Sequence, residues 1–196
     1  MTYYFDEFKV IELANTLHAG QYRKHKIDKN KLPYIFHAFD VSRKLWSWGI
    51  GDKGILAAAM LHDTIEDIRD KEAQAEARDK ILLATEKQVL IWVEELTHFN
   101  NGISKEDYIK SFSTKSIEAL VIKIADRLCN VQDFNRTDSN YAEKYYHKAD
   151  ILFRNFRKRK EEVIARFSKN IYDDIEYDID DADRWEVIYT DDNIPY

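Results

Sequence analysis

The stretch AAMLHDTIED, residues 58–67, joins an alanine-rich apolar run to a dense group of polar side chains. Alanine and leucine are strong helix formers, so the run predicts a helix that reaches His62. Residues four apart share one face of a helix, which would set His62 above Glu66 and Asp63 above Asp67. Neighbouring carboxylates repel one another, and bringing them together is costly unless a positive charge lies among them. The stretch therefore predicts a helix that ends in a cation-binding site.

Helical periodicity extends from this stretch over most of the chain. The 196 residues include only 5 glycines and 2 prolines, too few for the turns of a β-sandwich or barrel. Apolar residues recur at helical spacing, and the predicted helices are 5–19, 34–48, 53–64, 72–84, 86–98, 104–112, 115–134 and 140–168. We predict an all-α, single-domain helical bundle over residues 1–170, followed by an acidic extension over 171–196. A solvated tail and a short edge strand both stay open for the extension.

The amino-acid composition favours a soluble globular protein over a membrane, secreted or nucleic-acid-binding one. Hydrophobic residues make up 44% and charged residues 34%, as in soluble globular chains, and no apolar run approaches the roughly 20 residues that span a bilayer. The start, MTYYFDEFKV, shows no secretory leader. The single cysteine, Cys129, excludes an internal disulfide and predicts a reducing, cytoplasmic location. A net charge of −6 argues against general nucleic-acid binding. We expect no membrane partner, and the oligomeric state stays open.

Two further stretches offer ligands for a cation. His37 follows PYIF at the start of an amphipathic helix, where an inward-facing imidazole would be half buried. Asp126 follows an apolar run, a costly place for an unpaired carboxylate. The adjacent His62 and Asp63 cannot complete a coordination shell alone. Together the four residues form a mixed nitrogen and oxygen set that suits a divalent cation.

In this order these motifs resemble the HD-domain metal-dependent phosphohydrolases, which carry H…HD…D on helices. HAGQYRK (18–24), PYIFH (33–37), AAMLHDTIED (58–67) and IADRLCN (124–130) are similar to the hydrolase domain of the RelA/SpoT alarmone enzymes. The similarity covers residues 10–135, and the length leaves no room for a synthetase domain. The chain thus resembles the stand-alone small alarmone hydrolases most. The resemblance implies an HD-type bundle with a metal site at its centre.

The resemblance also implies a role for each matching residue. In the family, the metal ligands usually hold one Mn²⁺. The residues of this chain that match those ligands are His37, His62, Asp63 and Asp126. The matches to the acidic pair that activates or orients water are Glu66 and Asp67. The matches to residues that contact the nucleotide are Arg23, Lys24 and Asn130. The implied reaction removes pyrophosphate from the 3′ position of guanosine tetra- or pentaphosphate and returns GDP or GTP.

This chain departs from the family pattern at three places. Cys129 stands where the family usually has a histidine that is not a ligand, and we assign it packing. The segment HKIDKNKL (25–32) is longer than usual, and Gln132 and Asp133 replace a frequent Arg-Thr pair. These changes leave base recognition open. The alternatives are an HD-family nucleotidase or pyrophosphohydrolase on another nucleotide, such as an adenosine 3′-pyrophosphate, and a catalytically silent binding protein.

Structural roles remain alternatives for several of these residues. Acidic residues favour helix starts over helix ends, so a merely helix-terminating role for Glu66 and Asp67 is less favoured. The basic pair at 23–24 stands among other lysines and could form a solvated turn. We expect His18 to pack near the site, and we assign His98 no functional role.

Overall fold

The part of the chain that the structure describes contains ten α-helices, one short 3₁₀ helix (Ser111–Ser113) and one small hairpin. This computed structural model describes residues 4–24, 31–66, 68–99, 102–132 and 139–190. The helices are α1 (Glu7–Leu17), α2 (Ile35–Ser47), α3 (Lys53–Leu61), α4 (Lys71–Ala84), α5 (Lys87–Leu96), α6 (Lys105–Lys110), α7 (Ile117–Gln132), α8 (Ser139–Lys158), α9 (Lys160–Arg166) and α10 (Lys169–Thr190). The predicted all-α class is confirmed. None of the described helices is both long enough and apolar enough to cross a bilayer.

The hairpin lies between α1 and α2 and was not predicted. Its strands are β1 (Tyr22–Lys24) and β2 (Lys31–Pro33), and they pair antiparallel with Arg23 opposite Leu32. The backbone N–H of Tyr34 then donates to the carbonyl oxygen of Gln21 at 3.0 Å. This bond joins the base of the hairpin to the start of α2.

Helix α7 forms the centre of the core. Its wholly buried apolar residues are Ala119, Leu120, Val121, Ile122, Ile124 and Ala125. Helix α2 packs against both α3 and α7, while α8, α9 and α10 each contact α7 as well. Asp52 starts α3 by accepting hydrogen bonds from the N–H groups of Gly54 and Ile55, at 3.0 and 3.2 Å. The packing places the first turn of α2 and the end of α3 beside the middle of α7.

The predicted helix over 140–168 is two helices in the structure. The break falls at Arg159, whose backbone has φ −101° and ψ 22°. Its guanidinium donates to the carbonyl oxygens of Phe112 and Lys115 at 3.2 and 2.6 Å. These bonds tie Arg159 to a distant turn of the chain, a contact that the periodicity of residues 140–168 does not encode.

Over its described residues, 171–190, the acidic extension belongs to helix α10 and is neither a solvated tail nor an edge strand. Its buried residues, at helical spacing, are Tyr172, Ile175, Ile179 and Ala182. Asp178 accepts hydrogen bonds from Trp48 Nε1 at 2.9 Å and from Lys44 Nζ at 3.1 Å. The described part of the extension is therefore an amphipathic helix, and acidic residues separate the residues of its apolar face in the sequence. The proposed boundary at residue 170 stays a prediction.

Candidate metal centre

Four side chains from three elements meet in the middle of the bundle. His37 lies in the first turn of α2, His62 and Asp63 directly follow α3, and Asp126 lies in α7. Each residue offers one ligand atom, and these atoms all lie within 4.8 Å of one another. His37, His62 and Asp126 are buried, while the Asp63 side chain is 18% exposed. The structure thus brings together all four residues expected to bind the metal, and His37 is more deeply buried than we expected.

The ring nitrogens of this cluster face its carboxylate oxygens. His37 Nε2 lies 3.0 Å from Asp126 Oδ1, and His62 Nε2 lies 2.9 Å from Asp63 Oδ2. His62 Nε2 is also 3.8 Å from Asp126 Oδ1. The two imidazole rings meet edge to face, with centroids 5.3 Å apart. Two nitrogens and two oxygens are therefore available from different directions.

The hydrogen bonding of His62 indicates that this cluster fits a cation. His62 Nδ1 lies 2.7 Å from the carbonyl oxygen of Ala59, so Nδ1 carries the proton and donates. In the neutral ring Nε2 then holds a lone pair, which faces the Asp63 carboxylate. This buried nitrogen makes no hydrogen bond to any residue that the structure describes. Unless a positive charge lies between them, this lone pair and the carboxylate repel each other. A proton on Nε2 relieves the repulsion when no metal is bound, and a divalent cation, which suits these nitrogen and oxygen donors, would take the place of that proton.

The charges around the cluster favour ionised carboxylates. Burial acts to raise the pKa of Asp63 and of Asp126, but the neighbouring cationic groups outweigh it and hold both pKa values below their usual range. For Asp63 the main opposing charge is His62, and for Asp126 it is Lys123. Burial lowers the pKa of His37. Burial also acts to lower the pKa of His62, but the carboxylates of Asp63 and Asp126 together outweigh it and raise this pKa. Both aspartates are therefore anionic at neutral pH and can serve as metal ligands.

Two residues beside the cluster were missed by the sequence analysis. The Tyr34 hydroxyl donates to Asp63 Oδ2, and its ring lies edge to face with His37 at 5.4 Å. Lys123 Nζ lies 2.8 Å from Asp126 Oδ2, and Lys123 is 5% exposed. A signal existed for Lys123, which interrupts an apolar run three residues before Asp126 and so shares its helix face.

The residues expected to contact the nucleotide connect to the cluster through Asn130. Asn130 Nδ2 donates to Asp126 Oδ1 at 2.5 Å, and Arg23 Nη2 donates to Asn130 Oδ1. Arg23 and Asn130 are both half-buried. Lys24 follows on β1, but its side chain lies outside the described part of the structure, as do the side chain of Gln132 and residue Asp133. His18 packs as expected, with its ring 4.8 Å from that of Tyr34.

Glu66, the first acidic residue after His62 and Asp63, is not placed as predicted. Helix α3 ends at Leu61, and residues 62–66 form turns, so the predicted stacking of His62 on Glu66 in one helix is wrong. Thr64 closes the first turn, because its N–H and its hydroxyl both donate to the Leu61 carbonyl oxygen, at 3.1 and 2.7 Å. A side chain that competes for a backbone carbonyl in this way disfavours continuation of the helix.

Glu66 is held by a residue to which we assigned no role. Its Oε2 accepts a hydrogen bond from the backbone N–H of His98 at 3.2 Å. The His98 ring lies against Tyr108, with centroids 5.1 Å apart. A backbone contact of this kind carries no signal in the sequence. Asp67, the second predicted acid, lies outside the described residues.

The chain matches a known protein family and is similar to several known proteins. The family described as "HD domain" matches residues 11–162. The chain is 33% identical over 143 residues to mouse guanosine-3′,5′-bis(diphosphate) 3′-pyrophosphohydrolase MESH1, which covers 67% of this chain and 76% of the mouse protein. It is 27% identical over 146 residues to guanosine-3′,5′-bis(diphosphate) 3′-pyrophosphohydrolase of Borreliella burgdorferi. That match covers 70% of this chain but only 20% of the longer Borreliella protein.

A solved structure has the same fold. It is described as "A metazoan ortholog of SpoT hydrolyzes ppGpp and plays a role in starvation responses", and it superposes with a TM-score of 0.71. The superposition covers 95% of this chain and 98% of the other chain, at 24% sequence identity. At this identity the likeness concerns the fold, which includes the helices that carry the metal cluster.

Proposed function

We propose that this chain, which belongs to the HD-domain family and within it to the guanosine-3′,5′-bis(diphosphate) 3′-pyrophosphohydrolases, hydrolyses the 3′-pyrophosphate of guanosine tetra- and pentaphosphate. The products are pyrophosphate and GDP or GTP. The observation that carries the proposal is the buried cluster of His37, His62, Asp63 and Asp126. It supplies the nitrogen and oxygen donors that a metal-dependent hydrolase requires, at the positions that match the motif H…HD…D.

In this proposal the cluster holds one divalent cation, and we expect Mn²⁺. When bound, such a cation lowers the pKa of water and offsets negative charge on a phosphate. The surrounding residues orient the ligands. The Ala59 carbonyl sets the tautomer of His62, and the Tyr34 hydroxyl restrains the Asp63 carboxylate. Partners of this kind tune the strength and geometry of metal ligands.

Glu66 and Asp67 are the proposed proton acceptors for the attacking water. A positioned carboxylate accelerates such a step by removing the proton as the new bond forms. Glu66 is suited to this role because the His98 N–H holds one of its oxygens and orients the group. Asp67 is proposed from its place beside Glu66 in the sequence and from the family resemblance.

Arg23, Lys24 and Asn130 are the proposed contacts to the nucleotide. The guanidinium of Arg23 is planar and always charged, so it can pair with a phosphate or stack on a base. Arg23 donates a hydrogen bond to Asn130, and Asn130 in turn donates one to the proposed ligand Asp126. Basic groups here offset the repulsion between an acidic protein and a polyanionic substrate. The proposal includes a cytoplasmic location and no nucleic-acid or membrane partner.

The test is a product analysis with defined metals. Purified protein is stripped with a chelator, reloaded with Mn²⁺, Mg²⁺ or Zn²⁺, and incubated with guanosine tetraphosphate, an adenosine 3′-pyrophosphate or GTP. We expect intact pyrophosphate and GDP from guanosine tetraphosphate, with Mn²⁺ the most effective ion and no product after chelation. Cleavage of only the adenosine compound would favour the alternative pyrophosphohydrolase. Binding without cleavage by folded, metal-loaded protein would favour a silent binding protein.

A further inference from the structure

The two oxygens of the Asp126 carboxylate have different surroundings. Oδ1 faces the metal cluster, at 3.0 Å from His37 Nε2 and 3.8 Å from His62 Nε2, and it accepts from Asn130 Nδ2 at 2.5 Å. Oδ2 lies 2.8 Å from the ammonium group of Lys123. One oxygen is thus directed at the cluster, and the other is occupied by a buried cation.

Lys123 is enclosed on its other sides as well. Its ammonium group lies 5.8 Å from the centroid of the Tyr108 ring, and only 5% of the residue is exposed. A buried ammonium group is tolerated only beside a compensating charge. Asp126 provides that charge, so the pair holds a positive charge directly behind the metal ligands. The four metal-ligand candidates do not by themselves explain why a lysine is buried here.

We propose that Lys123 is a positioning residue that confines Asp126 to metal binding through Oδ1 alone and leaves the group formed by the cation, its four ligands and Lys123 net positive. Two ligand carboxylates neutralise a divalent cation, so the charge of Lys123 remains to attract a polyanionic substrate. The attraction of the substrate by Lys123 rests on the proposed function. The restriction of Asp126 to one coordinating oxygen depends only on the binding of a cation.

The proposal makes an unusual prediction about metal affinity. Lys123→Met removes a positive charge next to the cation and frees Oδ2 to bind it. The metal should then bind more tightly, while the substrate binds less well and turns over more slowly. If Lys123 only held Asp126 in place, its loss would loosen a ligand and weaken metal binding. The direction of the affinity change therefore separates the two roles.

The experiment compares Lys123→Met, Lys123→Gln and Lys115→Met with the wild-type protein. Glutamine keeps an N–H donor for Asp126 but loses the charge. Lys115 is a matched control, because its ammonium group lies 4.2 Å from the centroid of the same Tyr108 ring but contacts the Glu95 carbonyl instead of Asp126. Mn²⁺ affinity is measured by isothermal titration of metal-free protein, folding by thermal melting, and kcat and KM with guanosine tetraphosphate.

We expect the dissociation constant of Mn²⁺ to fall about tenfold in Lys123→Met, since like-charge repulsion disappears. Lys123→Gln should fall between this variant and wild type, and Lys115→Met should match wild type. In both Lys123 variants kcat should drop about 10–100-fold, the usual effect of changing a partner of a metal ligand. KM should rise.

Unchanged or weaker Mn²⁺ binding in either folded Lys123 variant would overturn the proposal. If neither variant folds, a structure of the Mn²⁺-loaded wild-type protein decides. Coordination by both Asp126 oxygens would overturn the proposal, and coordination by Oδ1 with Oδ2 on Lys123 would support it. A wild-type protein that binds Mn²⁺ without cleaving guanosine tetraphosphate would defeat the proposed function, while the affinity comparison would still decide the role of Lys123.

Discussion

The floor and the rim of the candidate site are built differently. The floor lies at the centre of the bundle and consists of residues whose polar side-chain atoms contact one another, namely His37, His62, Asp63, Lys123 and Asp126. The rim consists of Arg23, Lys24, Glu66 and Asn130, which lie on a hairpin, a turn and the last part of α7.

Contacts in the floor join α2, α7 and the turn after α3, whereas the rim meets the floor through the bond from Asn130 to Asp126. A change in the floor should therefore disturb metal binding together with catalysis. A change in the rim should affect the nucleotide or the proton transfer and leave metal binding intact.

The largest effect is expected from Asp63→Ala, in the floor. The change removes one ligand and leaves the Tyr34 hydroxyl without its acceptor, so metal binding and turnover should both fall to background. Circular dichroism should still show a helical protein. Metal content and activity are measured on one sample, with Asp40→Ala as a control because Asp40 pairs with Arg43 at the surface. Full activity in Asp63→Ala would contradict the metal-dependent reading of the site.

Glu66→Gln tests whether the rim is separable from the floor. The amide keeps the size and an acceptor for the His98 N–H but cannot take a proton. We expect kcat to fall about 10²–10⁴-fold, the usual contribution of general acid–base catalysis, with most of the Mn²⁺ affinity retained. Asp67→Asn should behave in the same way. Loss of metal equal to that in Asp63→Ala would make these acids ligands and would erase the distinction between floor and rim.

Arg23→Ala should weaken substrate binding without a change in metal affinity. A hydrogen bond to a charged group contributes about 1.5–3 kcal/mol, which corresponds to roughly a 10–150-fold loss in kcat/KM. Charge and stacking are common to all purine nucleotides, so guanosine and adenosine substrates should suffer alike. The measurement is kcat/KM for both substrates beside a Mn²⁺ titration. A selective loss for one base would show that Arg23 reads the base edge.

Base choice should depend on the segment between the strands of the hairpin. Lys24 and Lys31 are the last paired residues, so replacing residues 25–30 with Asn-Gly closes the hairpin in the same register. A site that hydrogen-bonds one base edge rejects the other because its polar groups stay unpaired. We expect the ratio of kcat/KM for the two bases to change. Equal losses for both would show that the segment is only a spacer.

The smallest effect is expected at Cys129, which is buried in α7 one turn after Asp126. Cys129→His restores the usual family residue and should leave turnover within a few fold of wild type, since we assign this position packing. The melting temperature reports any loss of packing. Inactivation of the wild type by a thiol reagent, with Cys129→Ser resistant, would give the cysteine a role in the site.

Local sequence signals predicted those site residues whose charge is costly at their position in the sequence. Asp126 inside an apolar run and the HD pair after an alanine-rich helix both indicate a charge that needs a partner. The helical class followed from periodicity and from the scarcity of turn residues. Lys123 is likewise a charged residue inside that apolar run, so the sequence contained the signal and we overlooked it.

The remaining errors arise from contacts between distant segments. The break at Arg159 depends on carbonyl groups more than 40 residues earlier, at Phe112 and Lys115. The orientation of Glu66 depends on a backbone N–H that lies 32 residues later. Helix α10 is buried because α7, α8 and α9 lie against it, although its sequence is dominated by acids. Periodicity describes one face of one helix and contains no information about the element that will cover it.

The sequence by itself determined the helical class and the residue types available for binding a cation, because both depend on local spacing and on the cost of burying charge. Only the tertiary structure decided that His37 faces Asp126 across 89 residues, and that Lys123 takes one oxygen of that carboxylate while the cluster faces the other. Those pairings depend on how α2, α3 and α7 pack. A hydrogen bond or ion pair forms only when two groups arrive within about 3 Å of each other, and packing determines which groups do.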